Sequence, residues 1–268
     1  MLKARIVTAL FLASGLIATL FLLPRLGSVA VFSAIVAIAA WEWGGLLKAG
    51  KNARWLFGLA TWLPCAALYL FGMPEKALVA LWSLALVFWL LLVPVWFRRR
   101  WNLRANAIGF LTGWLLLIPS WAGMVSLQAR SPWLLLAALA LVWVADIAAY
   151  FSGRSYGRHK LAPSISPGKT WEGAVGAALG VLAYAVAVGG STGWLAQLNS
   201  LQILLIAMGF LALTAVSILG DLFESLAKRQ AGVKDSSALL PGHGGVLDRI
   251  DSLTSTLPLA GLAALLIG

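Results

Sequence analysis

The sequence predicts an all-α fold, a polytopic bundle of helices integral to a membrane. Of its 268 residues 61% are hydrophobic and 11% are charged, whereas a soluble domain has about 45–50% apolar and about 25% charged residues. Apolar segments long enough to cross about 30 Å of hydrocarbon recur along the chain. The basic residues gather in alternate connections between these segments. The bilayer is therefore the expected solvent.

Nine apolar segments are predicted to span the membrane as helices. The first is a retained helix rather than a cleaved signal, because its apolar run is longer than that of a signal peptide and further spans follow at once. With loose ends, the predicted spans are residues 5–23, 26–47, 55–72, 77–97, 106–127, 132–152, 171–190, 201–221 and 252–267.

The distribution of charge predicts a cytoplasmic N-terminus and an outer C-terminus. All but three of the 20 lysines and arginines fall on one side of the membrane in this arrangement, and positive charge favours the cytoplasmic side. The three on the other side are Arg25, Lys76 and Arg130. Topology thus accounts for the net charge of +11 without nucleic acid as a partner. Many tryptophans, such as Trp55, Trp101, Trp133 and Trp194, lie near predicted span ends.

Two regions are expected. Residues 1–104 hold spans one to four, and residues 105–268 hold spans five to nine as a catalytic membrane region. The latter includes two long inner loops, 153–170 and 222–251, where function is expected.

Acidic residues indicate a cation site. Of nine carboxylates, all but Glu75 lie at or near the inner face. Asp221, Glu224, Ser225 and Lys228 share one helical stripe, and Asp248, Asp251, Ser252 and Ser255 share another. Oxygen ligands suit a hard ion such as Mg²⁺. The alternative is a pair of solvated helix ends with ordinary surface acids.

Cations beside these acids indicate phosphoryl or nucleotidyl transfer. For any one of them, positive-inside topology is the competing explanation. Glycines in "GHGG" allow a close approach of backbone amides to phosphate, and His243 there can bind phosphate, shuttle a proton or cap the loop. In "SPGKTWEG", Ser166 or Thr170 can cap span seven, with Glu172 in its first turn. The basic residues concerned are Arg154, Lys169, Lys228, Arg229, Lys234 and Arg249.

The stretch "SLAKRQAGVKDSSALLPGHGGVLDRID", residues 225–251, resembles the signature of phosphatidate cytidylyltransferases, also called CDP-diacylglycerol synthases. "SPGKTWEG" and "DIAAYFSGR" resemble two further motifs of that family. Ala227 stands where a larger aliphatic residue is usual, and Ile147 and Ala148 stand where threonine and glycine are common. The resemblance covers about residues 140–255; the first hundred-odd match only as membrane helices.

The resemblance implies that CTP and phosphatidic acid give CDP-diacylglycerol and pyrophosphate. It implies dependence on Mg²⁺ with K⁺ as a second cation, a homodimer, and a site facing the cytoplasm at a bacterial inner membrane. Asp221 and Asp248, with Asp251 beside them, map onto the metal site. The expected catalytic residues are Asp221, Asp248, Asp251, Lys228, Arg229 and His243; the expected substrate-binding residues are Lys169, Lys234, Arg249, Ser166, Glu172, Gly244, Gly245 and Arg154.

Three alternatives compete with this interpretation. A CDP-alcohol phosphotransferase carries a D-G-x-x-A-R motif, which the sequence lacks. A related enzyme acting on an archaeal ether lipid has no feature that separates it here. A transporter or flippase predicts inverted repeats and helices broken at mid-membrane, whereas these acids gather at one face.

Overall fold

The fold of the chain is a bundle of helices with one small hairpin. In the computed structural model, residues 2–267 are described, with side chains for residues 5–266. The elements are α1 (Leu2–Phe21), α2 (Arg25–Leu46), α3 (Lys51–Leu70), α4 (Glu75–Val87), α5 (Val93–Arg99), α6 (Ala107–Arg130), α7 (Pro132–Tyr156), β1 (Lys160–Ala162), β2 (Ser166–Thr170), α8 (Trp171–Ser191), α9 (Ser200–Ala231), α10 (Leu247–Ile250) and α11 (Leu253–Ile267).

Each predicted span is helical over most of its length, so the all-α membrane class is confirmed. Within the described range, six helices are long and apolar enough to cross a bilayer, and α1 and α11 contribute shorter apolar helices. The six are Arg25–Leu46, Glu75–Arg99, Ala107–Arg130, Pro132–Tyr156, Trp171–Ser191 and Ser200–Ala231. The total of nine spans stays a prediction.

The fourth span is one continuous helix with a wider turn inside it. A π-helical turn, Phe88–Leu92, joins α4 to α5. Pro94 follows directly in the first turn of α5. Proline has no amide hydrogen to donate to the preceding turn, and π turns of this kind interrupt helices locally without ending them.

The two long inner loops are shorter than the sequence predicted, because helices extend into them. α7 runs on to Tyr156, and β1 and β2 then form an antiparallel hairpin. Thr170 ends this hairpin and caps α8, its hydroxyl accepting a hydrogen bond from the Gly173 amide at 3.1 Å. α9 runs on to Ala231, where Gly232 at φ +81° ends the helix in the left-handed region that favours glycine. The second loop therefore spans residues 232–246.

Tryptophans divide into two groups. Those predicted near span ends are exposed: Trp55 by 56% and Trp133 by 68%. Others are buried in the bundle, and their indole N–H groups cross-link it. Trp43 donates to the carbonyl of Gly109, Trp82 to that of Pro119, and Trp121 to the Ser33 hydroxyl. Each of these hydrogen bonds has its donor or its acceptor on α6, so α6 links several helices of the bundle.

The polar segments meet at one end of the bundle. Thr8, near the start of α1, donates from its hydroxyl to the carbonyl of Pro241 at 3.1 Å. Gln230, near the end of α9, accepts from the Leu103 amide at 2.8 Å. At the opposite end, Arg130 donates to the carbonyl of Ala264. The start of α1, the end of α9 and the segment before α6 thus lie at one end of the bundle, and the end of α6 lies at the other. This is the arrangement that the alternation of basic connections predicts. This polar end is called the inner end below, with its cytoplasmic orientation still a prediction.

Candidate active site

Lys228 lies at the centre of the acidic residues. Its ammonium nitrogen is 2.6 Å from Glu224 Oε2, one helical turn away on α9, and 2.7 Å from Asp248 Oδ1 on α10. The three side chains are largely buried, with 12% of Lys228 and 3% of Asp248 exposed. Burial makes these charge-assisted contacts strong and makes each charge costly to leave unpaired. The sequence predicted Lys228 and Asp248 as catalytic, and the fold joins them directly.

Asp248 also fixes the start of α10. Its Oδ2 accepts hydrogen bonds from the amides of Gly245 at 2.7 Å and Ser236 at 2.8 Å, and from the Ser236 hydroxyl at 2.9 Å. Burial alone would raise the pKa of Asp248, but the bonds from Lys228, Gly245 and Ser236 outweigh it and lower the pKa. The carboxylate is therefore held in its charged form.

Glu42, on α2, holds the same loop from the other side. It is fully buried. Oε1 accepts from the Ser237 hydroxyl at 2.6 Å and the Val246 amide at 3.0 Å, and Oε2 accepts from the Leu247 amide at 2.6 Å and the Ser236 hydroxyl at 3.1 Å. The sequence predicts no role for Glu42 beyond its place among the inner acids. A lone carboxylate in an apolar span is a signal that such a bond set is needed.

A second group of charges surrounds a cavity of about 460 Å³ between α7, α8, α9 and the hairpin. Lys169 Nζ is 2.6 Å from Asp221 Oδ2. Asp146, Arg154 and Ser166 line the same space. Apolar side chains, among them Ala145, Ala149, Leu161, Ala177 and Ile218, also line it, so the cavity combines charged and apolar lining.

A larger cavity, of about 660 Å³, lies beside the 232–246 loop. Lys234 and Arg249, predicted to bind substrate, and His243, predicted to be catalytic, line it together with Arg5 of α1. Nδ1 of His243 is buried and has no hydrogen-bond partner within the described residues. A buried nitrogen without a partner is costly, and it belongs to a side chain that lines this cavity.

The glycines of "GHGG" serve the loop itself. Gly244, at φ +81°, adopts a left-handed conformation. A Cβ on Gly245 would lie 2.1 Å from Ser236 Oγ and 2.5 Å from Glu42 Oε1. The Gly245 amide, expected at a phosphate, donates to Asp248. These positions are close-packed because two carboxylates approach the backbone there.

Other predicted residues lie at the edge of the site. Glu172 accepts from the backbone amide of His159, and its Oε1 is 2.6 Å from His159 Nδ1. Arg229 is exposed and donates to the carbonyl of Ile165 at 3.3 Å. Arg154 is exposed and donates to the Tyr150 hydroxyl at 2.7 Å. Arg229 and Glu172 thus bind the hairpin, while Arg154 also borders the smaller cavity.

The carboxylate oxygens are the donor type that a hard cation prefers, but among the described residues their arrangement does not form a metal site. Across the part of the chain that is described, no group of three or more His, Cys, Asp or Glu side chains is set out to hold a metal. Lys169 and Lys228 instead contact Asp221 and Asp248. Burial and the charge of Asp221 raise the pKa of Asp251, with opposing contributions from the Ser252 amide and Lys228. A raised pKa means that the charged form of Asp251 is disfavoured where no cation lies beside it.

The comparison with known proteins decides the family. The model of the cytidylyltransferase family matches residues 3–266. The chain belongs to the cytidylyltransferase family. A phosphatidate cytidylyltransferase of Pseudomonas aeruginosa is 44% identical over 99% of this chain and 97% of its own. One of Haemophilus influenzae is 34% identical over 96% of both chains, and one of Brucella suis is 37% identical over 95% and 90%.

The family assignment covers the first hundred residues, for which the sequence resembled it only as membrane helices. This cytidylyltransferase takes part of its candidate site from there, since Arg5 lines a cavity and Glu42 binds the loop. Sequence reasoning missed Arg5 as a site residue because a basic residue before the first span is also what topology requires.

Proposed function

We propose that the chain condenses CTP with phosphatidic acid to give CDP-diacylglycerol and pyrophosphate, in phospholipid biosynthesis. Family membership over residues 3–266 supports the transfer of a cytidylyl group. The relatives of similar length named phosphatidate cytidylyltransferase support the lipid phosphate as acceptor.

One observation carries the proposal: two cavities with different linings lie at the inner end. One is beside the 232–246 loop that Asp248 binds, and the other is beside Asp221 on α9, the helix that also carries Lys228. The larger is lined by polar side chains of the 232–246 loop, and the smaller combines Lys169 with apolar helix walls. A water-soluble nucleotide suits the first, and a phosphate attached to acyl chains suits the second. Holding both at one boundary removes part of the orientational cost of their reaction.

The chemistry needs no covalent intermediate on the protein. A phosphate oxygen of phosphatidic acid attacks the α-phosphorus of CTP, and the bond between that phosphorus and the oxygen bridging to the β-phosphate breaks. Pyrophosphate leaves with the bonding electrons. A phosphomonoester has a second pKa of about 6, so the attacking oxygen is already anionic near neutral pH. Lys169, Lys234 and Arg249 are placed to reduce repulsion between the two anions.

Mg²⁺ is the cation we propose, with K⁺ as a second, and Asp221, Asp248 and Asp251 as the residues that would hold the divalent ion. When bound, it would supply positive charge to the phosphates. The oxygen-only donors of these three side chains suit a hard cation. Lys228 keeps Asp248 charged and oriented.

Activity of the purified protein tests the proposal. Labelled CTP and phosphatidic acid are expected to give CDP-diacylglycerol and pyrophosphate, with no product after chelation of divalent ions and recovery on adding Mg²⁺. K⁺ is then titrated at fixed Mg²⁺. Release of CMP from CDP-diacylglycerol with an alcohol, without consumption of CTP, would instead identify a phosphotransferase. Comparing ester and ether lipids identifies the preferred acceptor.

We also propose nine spans in a bacterial inner membrane, a cytoplasmic N-terminus and a site facing the cytosol, in a homodimer as the family resemblance implies. In a Cys65→Ser background, Arg130→Cys and Lys234→Cys place single thiols at opposite ends. An impermeant maleimide applied to spheroplasts is expected to label position 130 and to reach position 234 after lysis. The reverse pattern would contradict the orientation. The mass of the detergent-solubilised protein, measured by light scattering, tests the dimer.

A further inference from the structure

The buried carboxylate of Glu42 lies outside every motif that carries the family resemblance, yet it contacts the loop that carries the site. It is on α2, in the region predicted only as membrane helices. Its partners are Ser236 and Ser237, which precede His243 in the loop, and Val246 and Leu247, which follow it at the junction of the loop with α10. We infer that Glu42 is a positioning residue that closes this loop and sets the place of Asp248 and His243 for the reaction.

The bonds to Glu42 require a carboxylate. Each oxygen accepts one backbone amide, Oε1 from Val246 and Oε2 from Leu247, and one serine hydroxyl. Backbone amides cannot reverse their polarity. A glutamine at this position would turn its NH₂ group toward one of these amides in either orientation. Glutamine therefore matches the shape of Glu42 but leaves two buried donors facing each other.

Ser236 connects Glu42 to the catalytic centre. Its hydroxyl lies 3.1 Å from Glu42 Oε2 and 2.9 Å from Asp248 Oδ2, and its amide donates to Asp248 at 2.8 Å. A hydroxyl has one hydrogen to donate, so the two carboxylates share it. The close approach of Gly245 to Ser236 and Glu42 leaves no space between these groups. Displacement of Glu42 therefore moves the partners of Asp248.

The inference rests on the proposed function, and the test measures loop order and catalysis separately. Glu42→Gln is compared with wild type by amide hydrogen exchange in detergent and by steady-state CTP and phosphatidic acid kinetics. Glu75→Gln is the matched control, because Glu75 is exposed at the start of α4. We expect faster exchange over residues 236–247, unchanged exchange in α6, and a kcat lower by about a hundredfold, as small misplacements produce. The KM for CTP should change less than about threefold, since the cations remain.

Each outcome decides the inference. Unchanged exchange in Glu42→Gln would show that Glu42 does not hold the loop. Faster exchange with wild-type kcat would show that loop order is not needed for the reaction, and either result overturns the inference. If wild type makes no CDP-diacylglycerol, the proposed function fails, while the exchange result still reports on the loop. Should Glu42→Gln not fold, Ser237→Ala removes one donor and keeps both amide bonds; a local rise in exchange with a smaller fall in kcat is then expected, and wild-type values in both would overturn the inference.

Discussion

The two polar segments at the inner end are held in different ways. The 232–246 loop is fixed by buried carboxylates from two helices, Glu42 on α2 and Asp248 on α10. The hairpin of β1 and β2 is fixed by contacts near the surface, where Glu172 meets a His159 side chain that is 78% exposed. Lys169 reaches Asp221 from this hairpin with about a quarter of each side chain exposed.

This difference separates the tasks of the two segments. Breaking a buried charge pair costs about 3–5 kcal/mol, whereas an exposed pair contributes about 0–1 kcal/mol. The loop therefore keeps its geometry before substrates arrive, and the hairpin is the part that can adjust around the smaller cavity. Changes in the loop should have larger effects than comparable changes in the hairpin.

The largest effect is expected for Asp248→Asn. The amide of asparagine cannot accept hydrogen bonds from Lys228, Ser236 and Gly245 together. Lys228 is then left with Glu224 as its carboxylate partner. CDP-diacylglycerol formation per folded protein should fall by about a thousandfold, the upper range for loss of one preorganised electrostatic contact. Size-exclusion chromatography establishes the folded fraction. Wild-type turnover in this variant would remove Asp248 from the catalytic centre.

Gly245→Ala should rank second, with Gly168→Ala as its counterpart in the hairpin. The added methyl at position 245 meets Ser236 and Glu42 within 2.5 Å, whereas nothing lies within 4 Å of one at position 168. Overpacking costs about 1–3 kcal/mol, and the displaced loop should lower kcat by about a hundredfold. Gly168→Ala should change kcat by less than about threefold. Equal effects at both positions would contradict the contrast between the segments.

Lys169→Met should have an intermediate effect. It removes the ammonium beside Asp221 in the smaller cavity, and a charge-assisted contact to phosphate contributes about 1.5–3 kcal/mol, so kcat/KM for phosphatidic acid should fall by about tenfold or more. Lys160→Met is the control, because Lys160 is exposed on the neighbouring strand. An equal fall in both variants would mean that general positive charge at the membrane surface, rather than Lys169, attracts the lipid.

The smallest effect is expected for His159→Ala. The His159 side chain is exposed and pairs with Glu172, which also accepts from the His159 backbone amide. Since the amide bond remains and exposed pairs contribute little, kcat/KM for both substrates should change by less than about threefold. A fall of tenfold would show that the hairpin is as firmly fixed as the loop, and the contrast would fail.

Much of the fold could be predicted from the sequence because the bilayer imposes it. Every stretch predicted to span is helical, since hydrocarbon leaves backbone groups no other partner. The hairpin was not predicted, because Lys160–Ala162 is too short for a recognisable strand pattern. The ends of α7 and α9 were predicted too early, because polar residues such as Arg154 and Glu224 continue a helix when they pair with a residue one turn away on the same helix.

The candidate site divides in the same way. Spacing along α9 put Asp221, Glu224 and Lys228 on one stripe, and the Glu224–Lys228 pair lies there. Spacing did not predict that Lys169 contacts Asp221 or that Glu42 holds the loop, because each contact joins residues from separate elements. Membership of the cytidylyltransferase family follows from the order of residues along the chain.

The sequence by itself determined the solvent, the helical class and the acidic and basic residues at the inner end, because hydropathy, helical period and charge are properties of neighbouring residues. The tertiary structure alone decided which carboxylate each lysine contacts, and that Arg5 and Glu42 reach the site from the first two helices. The physical reason is that partners far apart in the chain are chosen by packing of whole helices, which no local pattern records.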